Sequence, residues 1–259
     1  MKITKLEKKK RLYLLELDNS ESLYITEDTI VRFLLSKHMT ISTEELEDIK
    51  AFAQVSYGKN LALYYLSFKP RTQKEVSDYL YQHDIEEEII PDIIAQLKTD
   101  NWINDKRYTE TYISQKLLNG NKGPYALQKQ LRQKGIATTL IDQALQEADF
   151  QDVLDKLSHK LLNKYQAKLP LNALKDKLTQ ALMSKGFSYD DAKGTIDRLE
   201  LEKDDDDELE LLQKELEKRY RNYSRRYDGY QLKQKLTQAL LRKGYDYASI
   251  RSQIADYLD

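Results

Sequence analysis

The chain has 259 residues, of which 40% are hydrophobic and 33% charged, with 42 Lys and Arg against 43 Asp and Glu for a net charge of −1. This balance argues against one large buried core, and it means that any affinity for a polyanion has to come from segregated charge. The lack of cysteine excludes disulfides and thiolate metal sites, and the lack of any long apolar run gives the expectation of a cytoplasmic protein with no membrane partner.

Eight Gly and four Pro leave little material for the tight turns of an all-β or dinucleotide-binding chain, so the composition favours helices. Residues 1–50 stand apart. There "RLYLLEL" and "SLYIT" flank "DNSES", with Tyr13, Leu15 and Leu17 alternating against their neighbours, which predicts a β-hairpin. A small helix, "EDTIVRFLLSKH", follows, and Ser42 with Glu45 opens another. Further on, Pro70 ends the helix "LALYYLSF". Thr72 is then the N-cap, and Glu75 three residues later completes a capping box ahead of Val76 and Leu80.

From here a repeat takes over. The phrases "LQKQLRQKGI", "LTQALMSKGF" and "LTQALLRKGY" place Gly135, Gly186 and Gly244 at equivalent points, 51 and then 58 residues apart, and stepping back 51 from Gly135 lands on Asp84 in "YLYQHDI". Eight residues before the reference point stand Val76, Leu127, Leu178 and Leu236. Four before it stand Leu80, Leu131, Leu182 and Leu240, on the same helical face. Ile85, Ile136, Phe187 and Tyr245 follow it directly, and Ile94, Leu145, Ile196 and Ile254 lie ten residues beyond. Each copy reads as helix, left-handed glycine stop, helix, with Ser188 and Asp246 as N-caps. "KRYTETYISQKLL", "HKLLNKYQAKL" and "EKRYRNYSRRY" add a preceding helix to copies two to four.

The expected fold is therefore mainly α: tandem three-helix repeats in an elongated array behind a small N-terminal β-hairpin module. The boundaries read as a module over 1–50, repeats over 51–103, 104–149, 150–200 and 209–259, and an acidic linker over 201–208.

Catalytic chemistry is hard to find. His38, His83 and His159 lack ligand-like companions, no Walker or Rossmann spacing occurs, and Gly120 and Gly123 read as a hinge. The run "EKDDDDE" raises a two-metal nuclease reading, but four adjacent Asp cannot all face one ion without a scaffold, and acids here also suit the start of "LELLQKEL". The expectation is a protein that is no enzyme and uses no metal or cofactor.

Charge is segregated near the end. Residues 200–210 hold eight acids and one Lys, whereas residues 214–251 hold eleven basic residues and four acids. In "KRYRNYSRRYDGY" the tyrosines invite a reading as base-stacking platforms. Stepping back 58 residues puts Tyr220, Tyr223 and Tyr227 on Leu162, Tyr165 and Leu169, which favours core positions for them. Arg219, Arg221, Arg225 and Arg226 fall on Leu161, Asn163, Ala167 and Lys168, so three of these charges are gained at places the repeat does not need basic. That points to a partner, with a solvated face as the plain alternative.

Three segments, "ALYYLSFKPRTQKEVSDYL", "IIAQLKTDNWINDKRYTETYISQK" and "KGPYALQKQLRQKGIATTLIDQAL", match in order and spacing those of a known family. The chain resembles the RecX regulatory proteins, which modulate the bacterial recombinase RecA. That family shows a Leu-x-x-Arg-Pro-Arg-Ser-type junction, a Gly-aromatic-x-Asp-Asp-x-Arg-Phe-type turn and a basic helix ending Lys-Gly-Ile. Here Lys69, Asn101 and Lys116 replace its usual Arg, Gly and Arg. Asn tolerates the left-handed turn, and Lys keeps the charge without the guanidinium fork.

The resemblance implies a monomer of stacked three-helix units that binds the RecA filament on single-stranded or duplex DNA and inhibits its ATPase, strand-exchange and coprotease activities in recombinational repair and the SOS response. The basic surface expected to serve it comprises Lys69, Arg71, Lys74, Arg107, Lys129, Arg132, Lys134, Arg219, Arg221, Arg225, Arg226, Arg242 and Lys243. Two other readings stay open: a general DNA-binding protein acting without a recombinase, and a helical scaffold.

Overall fold

The computed structural model describes residues 1–202 and 204–258. Strands β1 (Ile3–Lys9), β2 (Leu12–Leu17) and β3 (Ser22–Ile25) form an antiparallel sheet in that order. The expected hairpin is β2 with β3, Leu15 opposite Leu23, and β1 adds a third strand on the other side of β2, with Leu6 opposite Leu15. Its sequence, ITKLEKK, is too rich in Lys and Glu to show the alternation of a half-buried strand. Helix α1 (Glu27–Phe33) starts on Thr26 and stops at Leu34, whose backbone is left-handed at φ 50°, earlier than the expected end near His38.

Helix α2 (Thr43–Leu66) opens on the expected Ser42/Glu45 capping box and runs unbroken for 24 residues. The expected module boundary at residue 50 therefore falls inside one helix. Leu46, Ile49 and Ala53 complete the sheet's core with Ile3, Leu15, Leu17, Ile25, Leu35 and Ile41, while Ala62 and Leu66 belong to the core of the first repeat. At 3.6 residues per turn the two sets lie on roughly opposite sides of the helix. The apolar stripe thus changes face midway, and that change imitates a break in sequence.

The remaining helices are α3 (Gln73–Tyr81), α4 (Ile90–Thr99), α5 (Asp105–Asn119), α6 (Pro124–Gln133), α7 (Thr138–Gln146), α8 (Gln151–Tyr165), α9 (Leu171–Ser184), α10 (Tyr189–Arg198), α11 (Asp205–Tyr223), α12 (Gly229–Leu241) and α13 (Tyr247–Leu258). The chain divides into two compact units, residues 1–112 with 130–144 and residues 113–129 with 145–259.

The counted columns are buried: Val76, Leu127, Leu178 and Leu236 fully so, as are Leu80, Leu131, Leu182 and Leu240. Ile94, Ile196 and Ile254 are buried as expected, but Leu145 is half-buried. A further column, Ile90, Ile141, Ala192 and Ile250, lies inside in every repeat. The reference point is left-handed throughout, with φ 58°, 79°, 94° and 91° at Asp84, Gly135, Gly186 and Gly244.

The second half of the stretch expected as a linker, 201–208, is helix, from Asp205 onward. Asp204 is the N-cap of α11, its carboxylate accepting from Asp207 N at 3.1 Å, and Asp205, Asp206, Asp207 and Glu208 fill the first turn. Carboxylates at this end offset the positive pole of the helix, and Arg219 and Arg221 sit near the opposite pole. Much of the charge segregation therefore serves the helix itself.

Candidate functional site

In the first unit four of the expected cations, Lys69, Arg71, Lys74 and Lys134, come together at the α2–α3 junction. Pro70 ends the helical path, and Thr72 caps α3, accepting from Glu75 N while its own backbone N–H donates to the Glu75 carboxylate. This capping box also joins two repeats. Thr72 Oγ1 donates to Lys134 O at 2.8 Å, Lys134 Nζ donates to Glu75 at 2.6 Å, and Gln73 N donates to the Asp105 carboxylate at 2.8 Å.

Burial raises the Glu75 pKa, but the hydrogen bonds from Lys134 and Thr72 outweigh it and leave the carboxyl below the usual range. Burial of Lys134 acts against its charge, yet Glu75 and Tyr108 hold its pKa above the ordinary value. Lys134 is thus engaged inside the fold. Lys74 lies along Gly135, and its ammonium is 3.8 Å from Asp78.

Arg71 lays its guanidinium 4.1 Å from the centroid of the Tyr65 ring, and Tyr65 stacks on Tyr79 at 4.0 Å. Its Nε is buried without a hydrogen-bond partner. A guanidinium fixed by one face keeps its remaining N–H groups in a set orientation, which suits recognition of a carboxylate or phosphate. Lys69, Arg107 and Arg132 of this unit are exposed, as is Lys129 of the second unit. An open cavity of about 740 Å³ is lined by Lys74, Lys98, Lys106, Asn104 and Asp105, so three lysines border one recess. Burial raises the Asp105 pKa, with the Gln73 hydrogen bond and Lys98 acting against it.

In the second unit the tyrosines behave as the repeat register predicts. Tyr220, Tyr223 and Tyr227 pack against the core of Leu212, Leu216, Leu232, Leu236, Leu240, Tyr245, Ile250 and Ile254, and Tyr220 meets Tyr257 edge to face at 5.2 Å. Tyr230 is 81% exposed. The arginines divide. Arg219 is half-buried, with Nε and Nη2 each 2.7 Å from Glu215, and that hydrogen bond is the main cause of its raised pKa. Arg221 lies 3.6 Å from Glu217, whereas Arg225 and Arg226, just beyond the C-cap Ser224, are exposed and have no carboxylate partner among the described residues. Arg242 and Lys243 are also exposed, in the turn before Gly244.

The thirteen predicted cations are thus divided between the two compact units, six in the first and seven, Lys129 included, in the second. The inter-repeat role of Glu75 was hidden because its partner is 59 residues away in sequence. A run of four cations, Lys8 to Arg11, is visible in sequence and lies outside the predicted surface.

The RecX first three-helix domain matches residues 59–97, the second matches 104–145, and the third matches twice, over 147–195 and again over 205–254. The chain belongs to the RecX family. The Regulatory protein RecX of Streptococcus sanguinis strain SK36 is 59% identical over the full length of both chains, and that of Streptococcus gordonii is 58% identical over 99% of this chain and all of its own. Among solved structures, a regulatory protein RecX with 29% identity superposes with a TM-score of 0.64 over 76% of this chain and 98% of its own. RecX from Lactobacillus salivarius, 36% identical, gives 0.55 over 57% and 98%.

The double match of the third domain shows that the last two three-helix groups of this RecX chain are of one kind. These relatives are named as regulatory proteins. Among the described residues, no helix is long and apolar enough to cross a membrane.

Proposed function

We propose that this protein binds the RecA recombinase filament on DNA and lowers its ATP turnover, strand exchange and coprotease activity, acting as a regulator with no chemistry of its own. The observation that carries the reading is full-length identity of 58–59% to regulatory proteins named RecX. Exposed cations in both compact units support it, because a ligand that combines protein with DNA phosphates rewards several separate basic clusters. The basic surface proposed for this role keeps Lys69, Arg71, Arg107, Lys129, Arg132, Arg221, Arg225, Arg226, Arg242 and Lys243. Lys74, which is exposed, stays with them, whereas Lys134 and Arg219 act chiefly within the fold.

The test is ATP hydrolysis by the cognate recombinase on DNA with substoichiometric protein. Hydrolysis should slow, while an unrelated DNA-dependent ATPase should be unaffected. Equal inhibition of both would instead support a general DNA-binding protein, the reading favoured by the unpaired Arg225 and Arg226 taken alone. Replacing Arg221, Arg225, Arg226, Arg242 and Lys243 with Gln should weaken inhibition and flatten its salt dependence with the fold intact, since exposed substitutions shift stability by about 0.5 kcal/mol or less each.

A further inference from the structure

The turn between β1 and β2 carries Lys10 and Arg11, preceded by Lys8 and Lys9, and all four side chains are exposed. Lys10 has φ 50°. A two-residue hairpin turn with a left-handed residue favours Asn, Asp or Gly, so neither the turn nor the sheet calls for Lys-Arg here. Lys9 pairs with Glu7 at 2.8 Å, but Lys8, Lys10 and Arg11 have no carboxylate partner among the described residues.

The hairpin tip meets the end of α2, where Arg11 Cζ lies 4.7 Å from the centroid of the Tyr64 ring. Tyr64 in turn meets Phe68 edge to face at 5.0 Å, and these rings are 46% and 67% exposed. Lys69 is exposed beside them, and residues 57–71 contain no Asp or Glu. Two large exposed rings next to cations that have no carboxylate partner among the described residues are features that burial and ion pairing within the fold do not explain.

We propose that the β1–β2 turn and the C-terminal end of α2 form a binding surface for single-stranded nucleic acid, with Tyr64 and Phe68 stacking on bases and Lys8, Lys10, Arg11 and Lys69 meeting phosphates. Exposed aromatic faces select for a strand whose bases are free to splay, and a duplex hides those faces. An acidic protein surface matches the cations but leaves both rings unrewarded. A membrane surface is a poorer match, because the tip itself carries no apolar side chain. Arg11 covers one face of Tyr64 in the free protein, so it can slide onto a phosphate when a base takes its place. Lys69 is shared with the surface proposed for the recombinase filament, so the test uses no recombinase and none of its variants changes Lys69.

The experiment is fluorescence anisotropy of the full chain, without recombinase, on a labelled oligothymidine of about 20 nucleotides, longer than the roughly 4–16 nucleotides that a surface of this class spans. Phe68→Ala should weaken binding about 5- to 150-fold, the range expected for loss of one base–aromatic stack, with the helical circular dichroism unchanged. Phe68→Trp should keep the affinity. Lys10→Gln with Arg11→Gln should make the log–log salt slope shallower by about 1.4. The proposal is overturned if Phe68→Ala stays within twofold of the parent, if a duplex of equal length binds as tightly, or if phosphatidylserine vesicles rather than the oligonucleotide lose binding in these variants. None of these outcomes bears on inhibition of the recombinase.

Discussion

Asp84 and Gly186 occupy the same place in their repeats and share a left-handed backbone, but their surroundings differ. A Cβ on Gly186 would lie 2.5 Å from Ala126 N, in the first turn of α6, and Tyr125 N donates to Gly186 O at 3.0 Å. Gly135 meets Lys74 of α3 in the same way, at 2.5 Å. Asp84 is exposed, and no three-helix repeat precedes it. The glycine is therefore needed less for the turn than for the seat of one repeat on the next. Asp can hold the turn alone, because a short polar side chain tolerates this backbone.

Substitution at the two positions should separate these demands. Gly186→Ala should cost about 2–5 kcal/mol in urea denaturation, combining a left-handed Cβ with a clash against backbone that cannot swing away. Asp84→Gly should stay within about 1 kcal/mol of the parent. If Gly186→Ala is as mild as Asp84→Gly, the close approach between repeats is not what fixes the glycine.

The junctions also differ in how they are tied. The first and second repeats are joined by side chains, Thr72 to the Lys134 carbonyl and Lys134 to Glu75, whereas Gly123 N donates directly to Lys185 O at 2.8 Å. Thr72→Ala removes both a cap and a link and should cost roughly 2 kcal/mol. The backbone tie at Gly123 has no side-chain counterpart to delete. A loss under about 0.5 kcal/mol for Thr72→Ala would show that the capping box tolerates truncation.

The smallest effect at neutral pH concerns Phe187 and Tyr245, equivalent residues that are both buried. Burial, with Glu215 and Glu208 adding negative charge, pushes the Tyr245 phenol up to about 12. The folded state then holds its proton where the unfolded chain, ionising near pH 10, has released it. The stability this confers is present below about pH 10 and is lost as pH rises toward 12. Tyr245→Phe should change stability by less than about 1 kcal/mol at pH 8 and remove that part of the alkaline loss. An unchanged slope between pH 10 and 12 would place the titrating group elsewhere.

Much of this architecture was legible because repetition supplies its own control. Val76, Leu80 and their counterparts could be counted into register, and Tyr220 could be placed in a core by its alignment with Leu162. The signal failed where one element serves two neighbours. α2 changes its apolar face between Ala53 and Ala62, so it read as two helices, and β1 hides among lysines. The candidate surface was legible as a set of charges but not as a geometry. Sequence could not distinguish Arg225, which faces water, from Arg219, which faces Glu215, or from Lys134, whose carboxylate partner comes from another repeat.

The undivided course of α2 bears on the order in which the chain acquires structure as it is synthesised. Starting a helix is slow and unfavourable, whereas extending one is easy. The first half of α2 is already fixed by the sheet once Ala53 has packed. The segment that follows, through Ala62 and Leu66, can then grow from a turn that exists, before α3 and α4 have been made. The nascent first repeat thus inherits a preformed wall, and its remaining core residues, ending at Ile103, close against it within some forty positions of newly made chain.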